Sequence, residues 1–180
     1  MKLYTVHKKQ KLPISLNKAW SFLSDPNNLS LLTPKEMNFT IISKDQKPMY
    51  AGQVIQYSVT PIAGIKTKWI SEITHLKKGN YFIDVQLFGP YSFWHHKHFI
   101  HEIDGGVEME DIIDYKVPFG ILGQMLHPIL IKPKLEEIFN YRQKKITQIF
   151  GKFNNSWIKF QYFGFEETYD YMIMLHYLML

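Results

Sequence analysis

The 180-residue chain is 46% hydrophobic and 16% aromatic, which describes one globular domain with a sizeable core and argues against disorder. It has no cysteine, which excludes disulfides, thiolate catalysis and Cys-based zinc sites. Its net charge of +5 comes from lysines spread along the chain, without the dense basic block that nucleic-acid binding calls for; Arg142 is the sole arginine.

The opening "MKLYTVHKKQ" has no apolar run after its charges, so no secretory signal is expected and a cytoplasmic protein is the expectation. Residues 2 to 12 read as a strand. Ser15 fits an N-cap, followed by Leu16, Ala19, Trp20 and Leu23 at helical spacing until Pro26. "NLSLLTP" gives a second short helical turn.

From about residue 37 to 117 the period changes to two. "FTIIS", "QVIQYSV", "IKTKWISEI", "YFIDVQLF", "SFWHHKHFIH" and "VEMEDIIDYKV" alternate between turn signals, "DGG" at 104 to 106 among them. After "PFG" the helical period returns. Leu135, Ile138, Phe139, Arg142, Ile146, Ile149 and Phe150 share one face of a helix starting near Lys132, with Ile121 to Leu130 as a first part bent at Pro128 and Pro133. The predicted fold is α+β: a curved, seven-stranded, mostly antiparallel sheet wrapped around a long C-terminal helix, with two short helices after strand 1.

Residues 1 to 153 form the predicted domain. Residues 154 to 180 are a different kind of segment, with eight aromatics, three methionines and a net charge of −2. They read as a packed extension, a homodimer contact or a junction to a lost downstream domain. "MIMLHYLML" within them is too short to span a bilayer.

Strand faces locate the chemistry. Val107, Met109, Asp111, Ile113, Tyr115 and Val117 alternate against Glu108, Glu110, Asp114 and Lys116, so the first set faces inward and carries one charge, Asp111. A carboxylate on an apolar face requires a partner. In the preceding strand Trp94, His96, His98 and Ile100 face inward and His95 and Lys97 face out. An even-length loop around Gly89–Pro90 is expected to set Val85 opposite Trp94 and Ile83 opposite His96; an odd-length loop would align Asp84 and Gln86 with the histidines instead. Ile65, Thr67, Trp69, Ser71 and Ile73, and Ile55, Tyr57 and Val59, are also expected inside. A polar group of His96, His98 and Asp111 on an otherwise apolar face suits a cavity with a polar anchor.

The succession "LTP", "GQVIQY", "KWISEI", "FIDVQLFGPYSFWHHKHF", "MEDIIDYKVPFG" and "IFNYRQ" resembles the SRPBCC superfamily, the helix-grip fold of START domains, pollen-allergen-like proteins and polyketide cyclases. More narrowly it is similar to bacterial ligand-binding members, some fused ahead of a sugar-epimerase-like domain. The residues that carry the likeness are Gly89–Pro90, Trp94–His96–His98, Asp111 with Tyr115, Pro118 and Gly120, and Tyr141–Arg142, within residues 3 to 151. The resemblance implies a deep cavity between sheet and last helix that binds a hydrophobic or amphipathic small molecule.

Three chemistries compete for the polar group. His96, His98 and Asp111 have two-His, one-carboxylate metal spacing, but an Asp–His pair satisfies both partners with no metal, so neither a metal nor a cofactor is expected. A histidine oriented by a carboxylate could move protons in a cyclase- or dehydratase-like enzyme, with His96, His98 and Asp111 as the catalytic candidates. A non-catalytic ligand-binding protein is the reading chosen. Trp69, Trp94, Ile113 and Tyr115 would form the wall and His96, His98, Asp111 and Arg142 the polar anchor, with Arg142 either pairing an acid or snorkelling at the helix edge. A co-chaperone-like interaction module is the remaining alternative.

Overall fold

Period-two patterning produces the strands, and the loops between them decide which faces meet. The computed structural model of the chain describes residues 2–43, 47–61 and 64–154. β1 (Tyr4–Leu12) leads to α1 (Leu16–Leu23), which starts at Ser15, whose Oγ accepts from the Lys18 amide at 3.4 Å. α1 buries Ala19 and Trp20. Asp25 then caps a 3₁₀ turn over Pro26–Asn28, and α2 (Leu29–Leu32) completes the pair of short helices expected after strand 1.

Six further strands follow: β2 (Thr40–Ile41), β3 (Gln53–Val59), β4 (Thr67–Lys77), β5 (Tyr81–Phe88), β6 (Phe93–Ile103) and β7 (Gly106–Lys116). They pair antiparallel in the order β1-β7-β6-β5-β4-β3-β2, so only the first strand leaves sequence order. One face is lined by Ile55, Ile73, Phe82, Ile100 and Met109, which pack with Trp20 and Ile146. Trp94, Ile113, Tyr115 and Val117 form a second cluster with Leu135 and Phe139. Each such fully buried side chain contributes roughly 1.5–3 kcal/mol.

Two expectations about faces are overturned. In the β5–β6 hairpin Asp84 lies opposite His96 and Phe82 opposite His98, so Ile83 and Val85 share the outer face with Lys97 and His95. The odd-length loop holds, and the more apolar half of β5 faces out. Polar residues can take the inner face because each finds partners there: Asp84 meets the histidines, and Gln86 clamps Tyr91, donating to its carbonyl at 2.7 Å and accepting from its amide at 3.3 Å. Ile65 also fails its inward assignment. It precedes β4 and is exposed, because alternation holds only while the strand is paired.

After β7 the chain forms α3 (Gly120–Leu126), a π turn (His127–Ile131) and α4 (Lys132–Phe150) in nearly continuous succession. Pro128 sits in the first positions of the widened turn and Pro133 in those of α4. Neither ring can donate an amide, and the wide turn is where the ladder loosens, with the Lys132 amide reaching back five residues to the His127 carbonyl. α4 buries Leu135, Phe139 and Ile146, while Ile149 at the end of the expected stripe is exposed. The aromatic, Met-rich segment lies outside the described residues apart from its first residue.

Candidate functional site

Four strand residues meet on the inner face because of register. β6 carries His96 and His98 two apart, hence on one face. β5 sets Asp84 opposite His96 on one side, and β7 sets Asp111 opposite His98 on the other. α4 crosses above and brings Arg142. His96, His98 and Asp111 are each less than one-tenth exposed.

The contacts assign the protons. His98 Nδ1 lies 2.7 Å from Asp111 Oδ1 and its Nε2 lies 3.0 Å from Asp84 Oδ2. A carboxylate only accepts, so a protonated His98 can donate from both nitrogens at once. Burial works against that charge, but the two carboxylates outweigh it and raise the His98 pKa above its ordinary 6.5. His96 donates from Nε2 to Asp111 at 3.1 Å, while its Nδ1 stands 3.7 Å from Asp84. Burial and the neighbouring His98 charge push it down to about 4, so it is neutral at pH 7. Burial favours the neutral form of both acids, yet Arg142 and the two histidines hold Asp111 well below the usual carboxylate range, and the His98 bond lowers Asp84. Two carboxylates thus face the Arg142 guanidinium and a histidine whose pKa is raised.

Rings fix this arrangement. His98 stacks on Phe82 with centroids 4.1 Å apart, and the two imidazoles are 3.6 Å apart. Trp94 and Phe139 meet His96 edge-on.

The group forms one wall of a cavity of about 200 Å³ between the sheet and α4. Asp84, His96, His98 and Arg142 line it, as do Trp69 and Trp94; the remaining walls are mostly apolar, with Leu32, Ile55, Leu135 and Phe139 among them. Asp111 stands behind the histidines and borders a smaller void towards β1 instead. Ile113 and Tyr115 are buried beside the cavity in the second core cluster, and the Tyr115 hydroxyl is 2.7 Å from His127 Nε2. A second polar spot lies on the neighbouring strands of the same cavity wall, where Tyr57 and Trp69 both donate to Ser71 Oγ, at 2.7 and 3.0 Å.

Arg142 occupies the centre of the α4 face, with Nη2 3.8 Å from Asp111 Oδ1, and its buried Nε has no hydrogen-bond partner. Among the described residues, the donors able to close on a metal ion are Asp84, His96 and His98, whose ligand atoms lie within 4.8 Å of one another. A metal there would have to displace the proton of His98. Asp84 is the site residue that the preferred hairpin register concealed; its signal was the odd-length alternative, which aligns it with the histidines.

No family model and no curated protein matches the chain. Solved structures do. A START superfamily protein from Mycobacterium smegmatis superposes with a TM-score of 0.59 at 14% identity, over 81% of this chain and 98% of that one. The Zhui aromatase/cyclase from Streptomyces sp. R1128 gives 0.61 at 15% identity, over 81% and 92%. Ara h 8.0201 gives 0.54 at 14%, over 82% and 99%. At such identities the likeness concerns architecture alone. The chain has the helix-grip fold shared by START, pollen-allergen-like and aromatase/cyclase proteins.

Proposed function

We propose that the chain binds a hydrophobic or amphipathic small molecule in the cavity between sheet and α4. Its apolar body would lie against Trp69, Trp94 and Phe139, and its polar end against His96 and Arg142. The observation that carries this reading is the Arg142 guanidinium: a largely buried planar donor group on the wall of a mostly apolar cavity, with Nε unpartnered and a long contact, 3.8 Å, to Asp111. Buried donors without acceptors are costly, and a ligand oxygen would relieve that cost. His98 and Asp111 would hold the anchor in place from behind.

Native mass spectrometry of freshly purified protein tests it. The expected result is an extra mass that leaves as an organic species on denaturation and is depleted in Arg142→Gln. Bare protein, together with no thermal shift from hydrophobic probes, would sink the reading.

A second reading has its own observation. Two imidazoles 3.6 Å apart with pKa values driven in opposite directions resemble an assigned acid–base pair. A cyclase- or dehydratase-like enzyme could use neutral His96 as base, and one neighbour in fold is an aromatase/cyclase. If His96→Gln retains the ligand but abolishes its turnover, the enzyme reading replaces the binding one.

A further inference from the structure

The segment from Phe119 to Ile131, "FGILGQMLHPILI", contains no charged residue, and the fold leaves most of it bare. Phe119 is 82% exposed, Ile121 77%, Leu122 60%, Met125 66% and Ile129 70%. Single exposed apolar residues are ordinary, but six large ones within eleven positions, Leu126 included, form a patch of the kind that marks an interaction site. Of α3 and the turn, Gly123 and His127 are buried and Ile131 packs against the second core cluster. Phe119 adds a second oddity, with φ at +63°, in the left-handed region that a bulky side chain rarely enters. That conformation holds its ring out at the start of the patch.

Lysines surround this face. A groove of about 510 Å³ beside it shares His127 and Pro128 with the turn; Lys2, Lys8 and Lys132 line it against a single acid, Glu136. The charges of Lys2 and Lys132, after burial, help to lower the His127 pKa, which places both near that ring. Lys116, three residues before Phe119 in sequence, lies 5.7 Å over the half-exposed Phe93 ring. An apolar patch bordered by cations complements a surface that is apolar inside and anionic at its rim.

We propose that this face docks on the surface of an anionic lipid bilayer. Phe119, Ile121, Leu122, Met125 and Ile129 enter the headgroup–acyl boundary, while Lys2, Lys116 and Lys132 meet lipid phosphates. A second copy of the chain fits less well, because a two-fold interface would bring two lysine-rich rims together against one acid each, Glu136. The inference goes beyond the ligand reading and stands without it.

The test is co-flotation of the full chain with vesicles of phosphatidylcholine alone or mixed with phosphatidylglycerol. The full chain floats with the anionic vesicles only, and salt weakens the binding. Leu122→Glu combined with Ile129→Glu lowers the partition coefficient by at least about tenfold, and Lys132→Glu by about fivefold. Both variants alter exposed side chains, so their melting temperatures stay at the wild-type value. Arg142→Gln leaves flotation unchanged, which separates this result from the fate of the cavity reading. Absence of flotation with anionic vesicles overturns the proposal, as does binding that the apolar pair of substitutions does not alter. A solution dimer that the same pair converts to a monomer assigns the face to a second copy and overturns it as well.

Discussion

His96 and His98 are the same residue type, two positions apart on one strand, yet their pKa values are driven in opposite directions. The cause is the number of acceptors each can reach. His98 bridges Asp111 and Asp84, whereas His96 makes one hydrogen bond to Asp111 and lies under the charge of its neighbour. The pH dependence follows with a definite sign. His96 falls from its ordinary 6.5 to about 4 on folding, so it withholds a proton that the unfolded chain binds. Stability is therefore lost as pH drops from 6.5 towards 4, by up to about 3 kcal/mol for this group. His98 works the other way: its raised pKa contributes stability that is complete below 6.5 and lost as pH rises through the folded value. The two lowered aspartates contribute above their ordinary 3.8 and lose that contribution in more acidic solution. Urea unfolding across pH 6.5 to 4 should show a falling stability that His96→Gln largely flattens, with a smaller slope left by His127, whose pKa is also lowered. His98→Ala would leave Asp84 and Asp111 buried and short of a partner, at a cost of about 3–5 kcal/mol at neutral pH.

The joint between α3 and α4 shows how an element can be positioned by what is missing from it. Gly123 is the buried residue of α3, and a Cβ added there would fall on the carbonyl oxygen of Pro118. In an exposed helix Gly→Ala stabilises by about 1 kcal/mol. Here the clash is with backbone, which cannot swing aside as a side chain would, and overpacking of this kind costs about 1–3 kcal/mol. Gly123→Ala is therefore expected to destabilise despite its better helix propensity, measured as a lower urea midpoint at unchanged slope. Within α4 the stripe is less forgiving still. Ile146 is 1% exposed and packs with Leu12, Trp20 and Met109, so Ile146→Ala should cost about 2–5 kcal/mol. Together the two substitutions separate the α3 attachment from the sheet–helix core.

At the scale of the molecule the sheet and α4 enclose two apolar clusters with a cavity and a charged wall between them. Keeping paired charges in such a place is a weak source of stability, since apolar residues of the same volume would pack at least as well. On the ligand-binding reading proposed above, they serve a molecule that enters the cavity. A molecule that binds only the folded chain adds about 2.7 kcal/mol at a hundred times its Kd, so its removal by mild denaturation and refolding should lower the melting temperature, and adding it back should restore it. Among the described residues no helix is long and apolar enough to cross a membrane. The bare α3 face is suited to lie on a surface.

Several features were legible in the residues alone because they depend on period. Alternation in "VEMEDIIDYKV" and "SFWHHKHFIH" set Asp111, His96 and His98 on one face, and the 3.6-residue stripe of α4 set Arg142 above them. The seven strands and the long helix follow from the same two periods. What period cannot give is how one strand's face relates to the next, because that depends on the parity of the hairpin loop. The hydrophobicity of Ile83 and Val85 pointed to the wrong face, since the partners that make Asp84 and Gln86 acceptable inside lie on β6 and in the β5–β6 loop. The opposite pKa shifts of the two histidines also required coordinates, because they are set by distances of a few ångströms across three strands. So did the exposure of the apolar segment from 119 to 131, whose composition reads as core until the sheet is found already covered by α4. Sequence determined the faces of single elements; tertiary structure decided which faces meet, because pairing partners come from distant parts of the chain.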